Sequence, residues 1–320
     1  MTHYMEPLFL EPVFKDRIWG GEKLRDQFHY PLPTKTTGEC WGMSAHPHGP
    51  SYVKNGSLKG KSLIEVWESH RELFANEQGE QFPLLVKILD ASQDLSVQVH
   101  PDDEYAKKYE DGELGKTECW FVVDCEPDSE LIVGHYAKTK EEFVSMIETG
   151  QWEQLLKKVK IKPGDFYYVP SGTIHAIGKG SVILETQQSS DTTYRVYDYE
   201  RTDDKGAKRD LHLYQSINVT MIPHHDVSQE RMVTQVGDLL QTRLVLERYF
   251  TVFHGLLDGK AKIETTGKYL LFSILDGEGE ILVNSVSYEI KKGDHFIIPA
   301  TVCSFEMKGN STFIYSHTSR

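Results

Sequence analysis

The chain has 320 residues, 39% of them hydrophobic and 26% charged, enough for one large domain or two. A formal net charge of −13 makes nucleic acid and anionic membranes unfavourable partners, since the field of the whole protein repels both. The sequence shows no signal peptide and no apolar run long enough to span a bilayer. The four cysteines are scattered without a Cys-x-x-Cys pair, so a cytoplasmic protein with reduced thiols is expected.

Residues 1–60 are rich in glycine, proline and turn residues, with short strands expected at 8–14 and 38–45. His46 and His48 flank Pro47 and read as loop histidines, with no third metal ligand nearby in sequence. A helix is expected over 62–75. Ser62 caps it with Glu65 at capping-box spacing, and Leu63, Val66, Trp67 and Leu73 face inward. The apolar run 83–89 then reads as a buried strand.

From Leu95 to His100 the pattern alternates. Leu95, Val97 and Val99 lie on one face of a strand, and Ser96, Gln98 and His100 share the other. Three polar groups on one face must meet water or a partner that needs them. A short helix from an Asp102 cap is expected over 102–110, broken by Gly112 and Gly115. Strands follow at 117–123, with Glu118 near the start, and at 131–134. Residues 138–159 read as a helical insert: Thr139 caps it, Phe143, Met146 and Ile147 share a face, and Gly150 marks a stop. From Ile161 to the C-terminus, short strands with turns about every eight to twelve residues suggest sandwich or barrel architecture. The fold class is therefore mainly β with a small α-helical insert.

Two segments repeat. Gly164-Asp165 is followed by Pro170 and His175, and Gly293-Asp294 by Pro299 and Ser304. Each reads as a Gly-Asp turn feeding a short strand that ends at proline. Both resemble the second motif of the cupins, small jelly-roll barrels in which the terminal histidine binds metal. The resemblance implies two cupin-like barrels. The first, residues 1–235, carries the metal and the helices; the second, residues 236–320, has Ser304 where a ligand would stand. His100, Glu118 and His175 are together candidate metal ligands, a set that suits zinc and also iron or manganese.

The motifs resemble those of the type I mannose-6-phosphate isomerases. The family's S-x-Q-x-H-P-D stretch matches Ser96–Asp102, its K-x-E matches Lys116-Thr117-Glu118, and its E-x-x-x-x-S-D-x-x-x-R matches Glu185, Ser190, Asp191 and Arg195. An N-terminal G-E-x-W matches Gly38–Trp41. The resemblance implies one zinc ion per chain, held by Gln98, His100, Glu118 and His175. Chemistry alone would put Asp102 or Asp103 in place of Gln98; a neutral amide ligand leaves the metal a stronger Lewis acid. By the same resemblance Arg195 stabilises an enediolate, and Asp191 and Glu185 serve ring opening or proton transfer. If Asp191 and Arg195 lay on one strand they would share a face, where a simple salt bridge is the plain alternative.

The substrate implied is a sugar phosphate, bound by Ser96, Lys116 and Arg201, with Lys205, Lys208 and Arg209 solvated around a turn at 202–206. The chain departs from the larger members in its short insert, in the segment after Arg195, and in Thr117, where proline is common. Two other readings remain: a metal-dependent cupin oxygenase, disfavoured by Gln98 in place of a second histidine, and a non-catalytic sugar-binding cupin. A monomer or homodimer is expected.

Overall fold

A computed structural model describes residues 5–202 and 206–319. The chain is mainly β, and its described residues form three antiparallel sheets whose strand orders are open, none of them closing into a hydrogen-bonded barrel. The alternation at 95–100 forms the strand Val97–Val99 with both valines fully buried. It sits second in a five-stranded sheet ordered Tyr194–Tyr197, Val97–Val99, His175–Ile177, Glu130–His135, Leu156–Lys160. A six-stranded sheet is ordered Phe166–Val169, Glu118–Cys125, Ser181–Gln188, Leu84–Asp90, Thr37–Met43, Val13–Gly21. Side chains from these two sheets meet at the site described below.

The third sheet has nine strands and holds nearly all of the C-terminal part, including the long pair Phe250–Glu264 and Ser304–Thr318. Two strands from the start of the chain complete it. Leu8–Glu11 pairs with His295–Ile298, and Tyr52–Val53 pairs with Leu8–Glu11. The two halves thus share strands. They also share an aromatic cluster, in which Tyr269 packs edge-on to Phe74 at 5.3 Å between ring centres.

The local readings hold where a cap or a turn dictates them. Ser62 and Glu65 form the reciprocal capping box, Glu65 N donating to Ser62 Oγ (3.2 Å) and Ser62 N to Glu65 Oε2 (2.8 Å). The helix Leu63–Ser69 then passes into a 3-10 turn at Arg71–Phe74. Asp102 caps the helix Asp103–Tyr109 through Tyr105 N. The repeat is built twice in the same way. Gly164 and Gly293 both take φ of +88°, and Asp165 and Asp294 each accept from the amide three residues earlier, at 3.0 and 2.9 Å.

The helical insert is shorter than expected. Lys140–Glu148 and Trp152–Leu155 are helical, but Leu156–Lys160 is a strand pairing with Glu130–His135. Gly150 at φ +68° stops the first helix, and the lysines at 157, 158 and 160 suit the open edge of a sheet as well as a helix face.

Candidate active site

The two buried valines turn Gln98 away from the core. In the antiparallel register Arg195 lies opposite Gln98, and Gln98 lies opposite His175, so the three form a row across one face of the five-stranded sheet. His175 donates its Nδ1–H to the Thr173 carbonyl (2.8 Å), which leaves the Nε2 lone pair pointing into the row. That Nε2 lies 3.2 Å from His100 Nε2, 3.3 Å from the Gln98 amide and 3.3 Å from Glu118 Oε1. His100 Nε2 stands 3.5 Å from Glu118 Oε2. Glu118 comes from the facing six-stranded sheet and is fully buried.

Burial holds both imidazoles below their usual range, His175 to about 4 and His100 well below, so both are neutral and offer lone pairs. Burial, and next the charge of Glu185, raise the Glu118 carboxyl, against the pull of Lys116 and Lys87. Among the described residues no close hydrogen bond reaches either Glu118 oxygen, and the nearest donor, Lys116 Nζ, stands 3.5 Å away. Two imidazole nitrogens and the Glu118 carboxyl converge on one point, and the Gln98 amide, whose nitrogen lies against His175 Nε2, brings its oxygen to that point by a flip. A divalent cation is the partner this set fits.

The facing sheet builds the opposite wall by the same logic. Its register aligns Trp120, Glu185, Lys87 and Trp41 in one row. Trp120 Nε1 donates to Glu185 Oε1 (3.0 Å), and Lys87 Nζ lies 3.4 Å from Glu185 Oε2 and 5.1 Å from the centre of the Trp41 ring. Glu39 accepts from Arg17 at 2.8 and 3.1 Å and from Trp41 Nε1 at 2.6 Å. Burial opposes the charge on Lys87, but Glu185 and Glu39 outweigh it and raise its pKa. Burial likewise opposes Glu39, and Lys87 and Arg17 still hold it below the usual carboxylate range.

Between the walls lies a cavity of about 470 Å³ that reaches Ser96, Gln98, Lys116, Glu185, Asp191 and Arg195. Asp191 precedes the strand Tyr194–Tyr197, so it shares no strand face with Arg195; its Oδ2 instead meets His48 Nδ1 at 3.2 Å. Burial raises Asp191, but Lys87 and Lys116 more than offset it, and it stays ionised. Arg195 donates through Nη1 to the Asp210 carbonyl (3.1 Å), while its Nε is buried without a partner among the described residues. Lys116 Nζ lies 3.5 Å from Glu118.

Arg201 is placed elsewhere. Its guanidinium is engaged by Asp198 and by the Asp94 carbonyl, and it does not line this cavity. Arg209, expected to be solvated, lines it instead, with Nε donating to Asp198 Oδ2 at 2.8 Å. A nearly buried Asp198 needs charged partners, and it draws both arginines to itself. Lys208 is exposed and paired with Glu200, while residues 203–205 of the expected turn lie outside the described residues.

Two family models match the chain: the catalytic domain of type I phosphomannose isomerase over residues 8–123, and the cupin domain of mannose-6-phosphate isomerase over residues 241–318. The chain is 54% identical to mannose-6-phosphate isomerase ManA of Bacillus subtilis, across 98% of this chain and 99% of that one. It is 52% identical to the mannose-6-phosphate isomerase of Streptococcus mutans, across 98% of both. The chain belongs to the type I mannose-6-phosphate isomerase family. It is an isomerase. The crystal structure of the mannose 6-phosphate isomerase from Bacillus subtilis superposes with a TM-score of 0.96, at 50% identity, covering 97% of this chain and 99% of that one. In a phosphomannose isomerase structure from Salmonella typhimurium, at 15% identity, the fold alone is shared, with a TM-score of 0.79.

Within this isomerase site, several lining residues carry no role in the sequence reading. Lys87 was legible as one lysine inside an otherwise apolar strand. Glu39 and Trp41 stand in the sequence only as part of a motif, and Arg209 only as one cation of a basic segment. Arg17 and His212 carry no signal, because what brings them to the cavity is register and a loop. All four cysteines are free, and no helix among the described residues is long and apolar enough to cross a membrane.

Proposed function

We propose that the chain interconverts mannose 6-phosphate and fructose 6-phosphate, using one zinc ion held by Gln98, His100, Glu118 and His175. The observation that carries this reading is the convergence of His100, Glu118 and His175 beside Arg195. When bound, zinc supplies Lewis-acid polarisation of the sugar's carbonyl and hydroxyl oxygens. The protein does the rest. Moving the carbonyl between C1 and C2 requires a base to take a proton from one carbon and return it to the other, with negative charge passing through the two oxygens. Arg195, a fixed cation two strands from His175, stabilises that charge. Asp191 and Glu185 are the carboxylates available for ring opening and proton transfer: Lys87 and Lys116 hold Asp191 ionised, and Glu185 lies 3.4 Å from Lys87 Nζ.

Ser96 keeps the phosphate role that the family resemblance implies, while Lys116, with Nζ 3.5 Å from Glu118, stands beside the metal ligands. Arg209, which lines the cavity although it also pairs with Asp198, takes the place of Arg201, which does not line it. Free thiols suit a cytoplasmic setting. A coupled assay for fructose 6-phosphate formation, with metal content measured alongside, tests the reading. Turnover is expected to vanish on chelation and return with zinc. Undiminished turnover after complete demetallation overturns the zinc role, and a zinc-loaded sample without turnover overturns the substrate assignment.

A further inference from the structure

The segment 210–212 grips Arg195 at three points. His212 N donates to the Arg195 carbonyl (2.8 Å), Arg195 N donates to His212 Nδ1 (3.1 Å), and Arg195 Nη1 donates to the Asp210 carbonyl (3.1 Å). Tyr194–Tyr197 is an edge strand, so the outward amide and carbonyl of Arg195 have no neighbouring strand to pair with, and His212 completes that edge. An amide N–H needs a lone pair to receive it. Nδ1 is therefore the bare nitrogen, and in the neutral ring Nε2 carries the proton. His212 lines the cavity, half-buried, and its Nε2 has no hydrogen-bond partner among the described residues. Burial, reinforced by the charge of Arg195, holds this imidazole below its usual range and keeps it neutral near pH 7.

Position decides what that donor meets. His175, Gln98 and Arg195 step across the sheet, and at ~4.8 Å per strand Arg195 stands roughly 10 Å from His175. His212 is one step further from the metal ligands. The reacting end of the sugar belongs between the ligands and Arg195, so the far end, carrying the phosphoryl group, runs toward His212 and Arg209.

Resting on the isomerase reading above, we propose that His212 donates its Nε2–H to a phosphoryl oxygen of the substrate, in a tautomer fixed by the main-chain amide of Arg195. One residue would then bind the phosphate and anchor the strand that carries the catalytic arginine.

Two isosteres separate these tasks. His212→Asn keeps an acceptor where Nδ1 stands and loses the distal donor. His212→Gln keeps a donor near Nε2 and loses the acceptor. In zinc-loaded enzyme, His212→Asn is expected to raise KM about tenfold, the size of a charge-assisted hydrogen bond, with kcat within about threefold. Competitive inhibition by inorganic phosphate should weaken by a similar factor. His212→Gln is expected to restore KM toward the parent value and lower kcat, because Arg195 loses its anchor. An unchanged KM in His212→Asn overturns the proposal, and so does a KM that rises while phosphate inhibition stays the same. Both outcomes presuppose turnover by the parent enzyme, whose absence would strike the isomerase reading instead.

Discussion

Arg195 stands directly across one antiparallel ladder from Gln98, with its Nε buried and unpartnered among the described residues. An arginine beside a candidate metal ligand that gives the ligands no hydrogen bond is positioned for something that arrives later. Arg195→Ala should therefore leave zinc content unchanged and lower kcat by about 10² to 10³, the usual effect of losing one preorganised stabiliser of developing negative charge. Steady-state kinetics alongside metal analysis of the same sample checks this. Full activity in the variant would contradict the role.

The ligand set makes a separate prediction about stability. Metal that binds only the folded chain raises the melting temperature with the logarithm of its excess over Kd. Titrating zinc into metal-free parent protein should raise Tm progressively. His175→Ala removes the one imidazole whose tautomer is set by the Thr173 carbonyl, and should abolish the response along with turnover. A variant that melts higher with zinc, as the parent does, would move the metal to other residues.

Lys87 tests the opposite wall. It is buried between Glu185 and Glu39, and each carboxylate depends on it for compensation. Lys87→Met keeps the length of the side chain and removes the charge, leaving two buried carboxylates short of a cation. Urea unfolding should show a loss of about 3–5 kcal/mol, the cost of breaking a buried pair from one side. Adding Glu185→Gln should recover part of it. A single variant as stable as the parent would mean that the pair is worth little.

How far the site could be read from residues alone follows from what each residue's neighbours are. The face holding Ser96, Gln98 and His100 is a period-two pattern within six residues, and it survived folding intact. The Gly-Asp turns and the helix caps are equally local. Arg201 and Arg209 are where local reading failed: eight residues apart in one basic segment, they are sorted by Asp198 and the Asp94 carbonyl, which no spacing rule can see. Asp191 and Arg195 share a face only if one strand holds both, and the strand begins three residues after Asp191, at Tyr194; the partner of Asp191, His48, lies 143 residues away. The late stretch of the helical insert misled because helix and edge strand tolerate the same lysines. Pairing with Glu130–His135 decided it.

His295 links the C-terminal sheet to this site and gives a prediction in pH. Its ring is buried, with Nδ1 at 2.8 Å from Ser273 Oγ and Nε2 at 3.0 Å from Tyr30 Oη. It packs against Gly42, where a Cβ would fall 2.4 Å from the ring, so only glycine lets the strand bearing Glu39 and Trp41 approach. Burial, helped by Lys54, lowers its pKa from 6.5 to about 3. The unfolded chain thus binds this proton more readily than the folded one. The corresponding stability is complete above pH 6.5 and is lost as pH falls from there toward about 3. At about 1.4 kcal/mol per pH unit, going from pH 6.5 to 5 should remove about 2 kcal/mol through this one residue. His295→Gln cannot titrate there. Unfolding free energies of parent and variant, both zinc-loaded, should therefore fall by amounts differing by about 2 kcal/mol over that interval, whatever the variant's absolute stability. Parallel curves would show that His295 is protonated in the fold and that its contacts with Ser273 and Tyr30 are not those of a neutral ring.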